Sequence, residues 1–233
     1  MSSPGFSPAA GIPVLRISLV LDGRLGPELA RAARVPLVDV GGSADPGPRT
    51  LVALAASPRA LAVLFEADAE PPLRVTSPEG GPVFEDECVE IFVADPDDST
   101  AYREIVVNPA GARYGAEVRN PDGSRATWSL APGRLPAGLS VDVTGEPAGA
   151  PPEAWTRWRC RIDVPWSSLS AAGLPPSPGE ERRLNAFRIA RGRTTRFQAL
   201  SPTLRASPPD FHVPSRFARA RFDEPPSSFG PAC

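Results

Sequence analysis

Residues 86–95 and 102–108 alternate between apolar and polar positions with the two-residue period of a β-strand. On one face of each segment a run of apolar residues predicts a buried core: Val89, Ile91 and Val93, then Ile105 and Val107. The opposite face mixes apolar groups with two carboxylates and an amide: Cys88, Glu90, Phe92, Tyr102, Glu104, Val106 and Asn108. A solvent-facing sheet surface would be more uniformly polar. The mixed face therefore predicts a cleft for a polar ligand, with a half-covered sheet face as the alternative.

Similar runs recur along the chain, separated by loops rich in proline and glycine, of which there are 31 and 20. Further strands are predicted over residues 14–21, 35–40, 51–56, 61–67, 113–118, 124–130, 139–143, 158–164, 184–191, 197–200 and 216–222. Short helical turns are predicted at 27–34 and 165–169. The pattern predicts an all-β fold: one antiparallel β-sandwich, jelly-roll or immunoglobulin-like, of about eleven strands with very little helix. It would span residues 12–223, between a flexible leader (1–11) and a proline-rich tail (224–233).

Composition narrows the class of partner. The 233 residues include 25 basic and 27 acidic side chains, so no basic surface is expected to attract nucleic acid or an anionic membrane. No segment has the ~20 consecutive apolar residues of a membrane span. Residues 1–15 lack the basic start and apolar run of a secretory signal, which predicts a cytoplasmic location for the chain as given. Three widely spaced cysteines predict neither a disulfide framework nor a metal cluster.

Six motifs succeed one another over residues 15–222: Asp-Gly at 22–23, an acidic start and Val-Glu-Ile-Phe at 86–95, the strand at 102–108 with Gly111, Ile-Asp-Val-Pro-Trp at 162–166, Leu-Asn-Ala-Phe-Arg at 184–188, and Phe-His-Val-Pro-Ser-Arg-Phe at 211–217. In this order they resemble carbohydrate-binding module family nine, within the wider group of sugar- and haem-binding DOMON-like domains. The resemblance implies a non-catalytic β-sandwich that holds a mono- or oligosaccharide in a cleft. Members of that family are usually exported and often attached to a glycoside hydrolase.

Five residues are candidates for the sugar site. By motif position, the resemblance implies that Phe84 and Phe211 are aromatic platforms for the sugar ring. It also implies that Glu90 and Asn108 form hydrogen bonds with sugar hydroxyls. The family's best-known members carry tryptophan at both aromatic positions, which offers a larger π-face. On the strand pattern, Arg188 stands above small residues and joins these candidates. The structural alternatives are core packing for the two rings and an ion pair between Glu90 and Arg188.

The sequence offers few candidate ligands for a metal ion or a haem. Asp95, Asp97 and Asp98 form an oxygen-rich turn, where the resemblance makes calcium possible and a solvated acidic turn is the alternative. No cofactor is required. His212 is the sole histidine and Met1 the sole methionine, at the start of the chain, so axial ligation of haem by this pair is not expected.

The sequence thus predicts non-catalytic carbohydrate binding by ring stacking and polar hydrogen bonds, in support of polysaccharide breakdown. A first alternative is a family-like fold that has lost sugar binding and serves as a protein-interaction domain. A second is a glycoside hydrolase, for which Glu104 and one of Glu85, Asp86, Glu87 or Glu90 would supply the paired carboxylates. The chain contains neither a Gly-x-Ser-x-Gly nor a His-Glu-x-x-His motif, which argues against an enzyme.

Overall fold

The structure is a computed structural model that describes residues 11–20, 25–43, 45–169 and 173–224. The predicted leader and tail lie almost wholly outside these residues, as does the Asp-Gly motif at 22–23. None of the helices in the described segments has the length and hydrophobicity that a membrane-spanning helix needs.

The described residues contain fourteen strands and one α-helix. The strands are β1 (Val14–Leu19), β2 (Val35–Pro36), β3 (Val38–Asp39), β4 (Thr50–Ala56), β5 (Ala60–Asp68), β6 (Cys88–Ala94), β7 (Ala101–Val107), β8 (Arg113–Arg119), β9 (Ser129–Pro132), β10 (Ser140–Glu146), β11 (Arg157–Pro165), β12 (Glu181–Arg191), β13 (Thr195–Ala199) and β14 (Ala218–Asp223). The helix α1 spans Leu25–Arg31, and short 3-10 turns span Val83–Glu85, Pro152–Ala154, Trp166–Ser168 and Pro214–Arg216.

All strands belong to one curled sheet, whose main path runs β10-β11-β5-β4-β1-β14-β12-β6-β7-β8-β9. Three short strands lie off this path. β2 pairs with β4, β13 pairs with β12, and β3 pairs with β13. The all-β prediction is confirmed. The prediction of a purely antiparallel sheet is wrong at β1, which pairs in parallel with both β14 and β4. Parallel neighbours need a long connection between them. The chain supplies one in both cases, because it runs from Leu19 to Thr50 between β1 and β4 and from Leu19 to Ala218 between β1 and β14.

The main core lies between the inward faces of strands from both halves of the sheet. Val63 of β5, Ile91 of β6 and Ile162 of β11 are completely buried in the same apolar cluster. The predicted apolar faces of β6 and β7 are therefore confirmed as core. Trp158 and Trp166 are also buried in this cluster, and the indole N–H of Trp166 donates to the carbonyl oxygen of Ser57 at 2.8 Å.

The mixed face of β6 and β7 carries a second, aromatic-rich cluster. It includes Phe92, Tyr102, Phe187, Phe211 and Phe217. The ring of Phe92 contacts the ring of Phe187 at a centroid distance of 4.9 Å and lies stacked against Tyr102 at 5.4 Å. Phe211 and Phe217 reach this cluster from the segment between β13 and β14, so the mixed face is partly covered. The part left open is the site described below.

Two predicted strands differ from the observed ones. The strand predicted at 35–40 is divided into β2 and β3, because the segment changes partner: β2 pairs with β4, whereas β3 pairs with β13. The strand predicted at 124–130 begins only at Ser129. Residues before it form a turn in which the carboxylate of Asp122 accepts hydrogen bonds from the Ser124 N–H and the Thr127 hydroxyl. Such local side-chain bonds compete with strand pairing.

Candidate functional site

A cleft of about 290 Å³ opens on the mixed face of the sheet. It is lined by the turn before β6, by strands β6 to β9 with the loop between β8 and β9, by strands β12 and β13, and by the long loop after β13. The lining residues are Phe84, Glu90, Glu104, Tyr114, Arg125, Trp128, Leu130, Ile189, Phe197, Pro209, Phe211 and His212. The lining therefore combines several aromatic rings with two carboxylates, one guanidinium and one imidazole. Three of the five predicted site residues, Phe84, Glu90 and Phe211, are brought together here.

Two aromatic side chains of the cleft, Phe84 and Phe211, differ in exposure and in packing. Phe84 sits in the 3-10 turn before β6, is 37% exposed, and meets Tyr114 edge to face at 5.2 Å between ring centroids. Phe211 is buried and stacks on Phe187 with centroids 4.2 Å apart and planes 14° apart. Phe84 is thus free to offer a ring face to a ligand. Phe211 is held mainly by its own neighbours, as the core-packing alternative predicts.

Glu90 and Glu104 are the two carboxylates of the cleft. In the β6–β7 ladder Glu90 lies opposite Val106, whereas Glu104 lies opposite Phe92, so the two acids are diagonal neighbours on one face. Both are buried, at 2% and 4% exposure. Among the described residues, Oε1 of Glu90 has one hydrogen bond, a weak one donated by the Cys88 thiol at 3.7 Å. Oε2 of Glu104 has no hydrogen-bond partner among the described residues.

This burial changes the ionisation of both acids. Desolvation raises the pKa of Glu90 well above its usual range, and the negative charge of Glu104 raises it further. Desolvation likewise raises the pKa of Glu104 to about 7, against the lowering effect of Arg125. Burial, followed by the charges of Glu104 and Glu90, raises the pKa of Tyr114 to about 12. The pair therefore takes up protons readily unless a positive charge joins it.

Arg125 and His212 are further polar residues in the lining of the cleft. Arg125 donates to Asp210 from Nη2 at 3.0 Å and lies over the ring of Trp128, with its central carbon 5.1 Å from the ring centroid. Nδ1 of His212 lies 2.7 Å from the Tyr102 hydroxyl. Burial lowers the pKa of His212 to about 4, so its imidazole is neutral near pH 7.

Arg188 does not reach the cleft. On β12 it shares a face with the core residue Ala186, whereas its neighbour Ile189 lines the cleft. Its guanidinium donates from Nε to Glu87 at 2.8 Å and from Nη1 to Thr50 at 2.8 Å. The predicted pairing of Arg188 with Glu90 is therefore wrong: the partner is Glu87. This geometry does not support Arg188 as a ligand contact.

Asn108 is also placed inside the protein. Its side-chain amide donates to Asp86 at 3.0 Å, and its Oδ1 accepts from the Ala112 N–H at 2.9 Å. Burial acts to raise the pKa of Asp86, but hydrogen bonds from Ser77, Asn108 and Thr76 lower it overall. Asp86 directly follows the turn that carries Phe84. Asn108 thus contributes to the position of that turn, and the structure does not place it in the lining of the cleft.

The acidic turn after β6 does not fit a calcium site. Oδ1 of Asp95 accepts from the Asp97 N–H, and Oδ1 of Asp98 accepts from the N–H and hydroxyl of Thr100. Oδ2 of Asp98 pairs with Arg119 at 3.0 Å. Across the described residues, no three histidine, cysteine or acidic side chains are grouped so that they could hold a metal ion. These carboxylates serve the local turn.

No protein-family model and no curated protein matches the sequence. Solved structures match at the level of the fold. One is a protein from Bacteroides uniformis, provisionally described as carbohydrate-binding; it is 20% identical with a TM-score of 0.67, and the match covers 91% of this chain and 100% of that one. Another is a family 9 carbohydrate-binding module from Caldicellulosiruptor kristjanssonii in complex with glucose, at 15% identity and a TM-score of 0.60 over 94% of this chain and 100% of that one. A third structure is a family 9 carbohydrate-binding module from the same organism in complex with cellotriose. It is 16% identical with a TM-score of 0.57, and the match covers 94% of this chain and 99% of that one.

This chain has the fold of a family 9 carbohydrate-binding module. The resemblance found in the sequence is thereby confirmed for the fold. Within this family 9 fold, sequence reasoning missed most of the other lining residues, among them Tyr114, Arg125, Trp128 and His212. A signal existed for Tyr114, which faces Val106 across the β7–β8 ladder and so extends the mixed face. The other three lie on loops, where strand periodicity gives no information.

Proposed function

We propose that the protein binds a saccharide non-covalently in the cleft. The observation that carries this proposal is the combination of an exposed ring, Phe84, with the buried carboxylates of Glu90 and Glu104 in one cleft of a carbohydrate-binding fold. A pyranose presents an apolar C–H face and a rim of hydroxyl groups. Aromatic rings complement the first, and carboxylates accept hydrogen bonds from the second.

In this proposal Phe84 stacks against the sugar ring, and Tyr114 supports Phe84 from its edge. Glu90 and Glu104 bind hydroxyl groups deeper in the cleft. Arg125 and His212 also line the cleft, where Arg125 is held by hydrogen bonds to Asp210. The complexes named above, which hold glucose and cellotriose, support a mono- or oligosaccharide as the ligand class.

We propose binding without catalysis. Glycoside hydrolysis uses two acids that flank the scissile bond. Glu90 and Glu104 project from adjacent strands of a single sheet face, so both approach a ligand from the same side. A protein-interaction domain would instead present an exposed apolar patch. The large hydrophobic side chains exposed by the described residues lie in four separate segments: Val14, Phe84, Leu174 and Leu204.

Isothermal titration calorimetry with glucose, xylose, cellobiose, xylobiose and longer oligosaccharides tests the proposal. We expect a dissociation constant between about 1 μM and 1 mM for at least one of them. Affinity should fall in Phe84→Ala and in Glu90→Gln with the melting temperature preserved, and should be unchanged in Leu174→Ala, which removes an exposed apolar side chain outside the cleft. Silence across the panel from folded protein would reject saccharide binding, and turnover of an aryl glycoside would reject the non-catalytic assignment.

A further inference from the structure

The cleft buries two neighbouring acids, Glu90 and Glu104, and the described residues place no cation in direct contact with either of them. Glu90 receives only the weak thiol bond from Cys88, and one oxygen of Glu104 has no partner among the described residues. Neutral sugar hydroxyls would supply hydrogen bonds, yet they would leave two neighbouring carboxylates without a counter-charge. A buried carboxylate is costly unless it is paired with a cation or takes up a proton.

The cationic side chains near the cleft are already engaged. Arg125 directs its hydrogen bonds to Asp210, and its guanidinium lies over Trp128, although its charge still acts on Glu104 at a distance. His212 is neutral near pH 7 because it is buried. Arg188 lies on the other face of β12 and is paired with Glu87. The remaining ionisable groups beside the acids, Cys88, Tyr102 and Tyr114, have raised pKa values and are uncharged.

The aromatic lining suits a positive charge. Phe84 and Tyr114 meet edge to face at the cleft, and Phe211 contributes a third ring to its lining. Aromatic faces attract ammonium groups through their quadrupole, most strongly where water is excluded. Rings combined with two uncompensated carboxylates favour a ligand that carries both a sugar ring and an ammonium group.

We propose that the cleft selects saccharides with a free amino group, whose ammonium is bound by the carboxylates of Glu90 and Glu104. This inference rests on the saccharide binding proposed above and names its ligand class. An amino sugar places a cation beside the acids while its ring remains available for stacking. The corresponding N-acetylated sugar is neutral and bulkier, and would be discriminated against.

Calorimetry of the full chain with glucosamine, glucose and N-acetylglucosamine tests this inference, because the three sugars differ at a single ring substituent. The titrations are made at about pH 6.5, where an amine is protonated. We expect glucosamine to bind at least about tenfold more tightly than either neutral sugar, since hydrogen bonds between charged partners are roughly twice as strong as neutral ones.

Proton release gives a second readout. Because an ammonium group favours the ionised carboxylates, its binding should expel protons from the pair. The heat of glucosamine binding should therefore change with the ionisation enthalpy of the buffer. The heat of binding of a neutral sugar should not depend on the buffer in this way.

Two variants test whether Glu104 is responsible for the preference for glucosamine over glucose. In Glu104→Gln the ratio of glucosamine affinity to glucose affinity should fall toward one. Glu117→Gln is the matched control, because Glu117 lies on the other face of β8 with its side chain 49% exposed, and the ratio should stay at the wild-type value. If glucose binds as tightly as glucosamine or more tightly, the inference is overturned while saccharide binding stands. If no sugar binds, the proposed function fails and the inference fails with it.

Discussion

Arg188 and Glu87 form an ion pair that is completely removed from solvent, with Nη2 2.7 Å from Oε1. The same carboxylate accepts a hydrogen bond from the Arg191 N–H and another from the indole N–H of Trp158. The pair joins β12 to the start of β6 on the core side of the sheet. It therefore holds the two strands that carry Ile189 and Glu90 into the cleft.

Arg188→Met should be strongly destabilising. It leaves Glu87 buried without its counter-charge, and we expect the free energy of unfolding to fall by roughly 3–5 kcal/mol in urea denaturation. Arg219→Met is the control, because its pair with Glu181 is solvent-exposed and should contribute less than about 1 kcal/mol. Equal effects of the two substitutions would contradict a structural role for the buried pair. Protein that remains folded should keep its saccharide affinity, since Arg188 faces away from the cleft.

Alanine substitutions of Phe84 and Phe211 should have different effects: the first should lower saccharide affinity and the second should lower stability. Phe84→Ala removes an exposed ring, so we expect unfolding free energy to change by less than about 0.5 kcal/mol. Saccharide affinity should fall roughly three- to tenfold in that variant. Phe211→Ala removes a ring stacked on Phe187 and should cost roughly 3–5 kcal/mol of stability. Urea denaturation and calorimetry together check both results, and a reversal of the pattern would show that Phe211 is the ligand platform.

Glu104 and His212 should give the protein opposing pH dependences. The folded pKa of Glu104, about 7, lies above its ordinary value of 4.5, so its stabilisation is full below about pH 4.5 and is lost as pH rises through 7. The folded pKa of His212, about 4, lies below its ordinary value of 6.5. Its stabilisation is full above about pH 6.5 and is lost as pH falls through 4. The two effects partly cancel, so a variant is needed to isolate Glu104.

Glu104→Gln removes the titration of this acid. Relative to wild type, we expect the variant to gain stability as pH rises from about 4.5 to 7, by up to about 3 kcal/mol. Urea denaturation at a series of pH values measures this difference. Glu117→Gln should follow the wild-type profile. A stability difference for Glu104→Gln that does not vary with pH would contradict the raised pKa.

Gly145 allows the ring of Trp155 to lie directly against β10. A Cβ atom at this position would fall 1.9 Å from Cδ2 of the indole, so Gly145→Ala must displace the ring. We expect a loss of roughly 1–3 kcal/mol in stability, with red-shifted tryptophan emission. Gly11→Ala, where no atom lies within 4 Å, is the control and should be silent. Unchanged emission and stability in Gly145→Ala would refute this packing.

We expect that calcium does not bind to the acidic turn after β6 and therefore does not stabilise the protein there. The carboxylates of Asp95 and Asp98 are engaged by backbone N–H groups, by Thr100 and by Arg119. We expect the melting temperature to be the same in EDTA and in millimolar calcium, measured by calorimetry. A calcium-dependent rise that disappears in Asp98→Asn would restore the turn as a metal site.

Local alternation of side chains, by itself, determined much of the strand content and its faces. The segments predicted around β6, β7, β8 and β11 match the observed strands to within a few residues. The same alternation assigned Ile91 to the core, and Glu90 and Glu104 to the mixed face. This succeeded because side-chain direction in a strand is a local property of the backbone.

Only the tertiary structure decided which groups meet. Arg188 finds Glu87 across 101 residues, and Arg125 finds Asp210 across 85. These contacts depend on β12 lying between β14 and β6, and on which loops fold over the mixed face. A strand pattern specifies the face of a side chain but not its neighbouring strand. The sequence therefore indicated a polar cleft that contains Glu90. Long-range packing decided that Asn108 and Arg188 lie outside its lining and that Tyr114 and His212 belong to it.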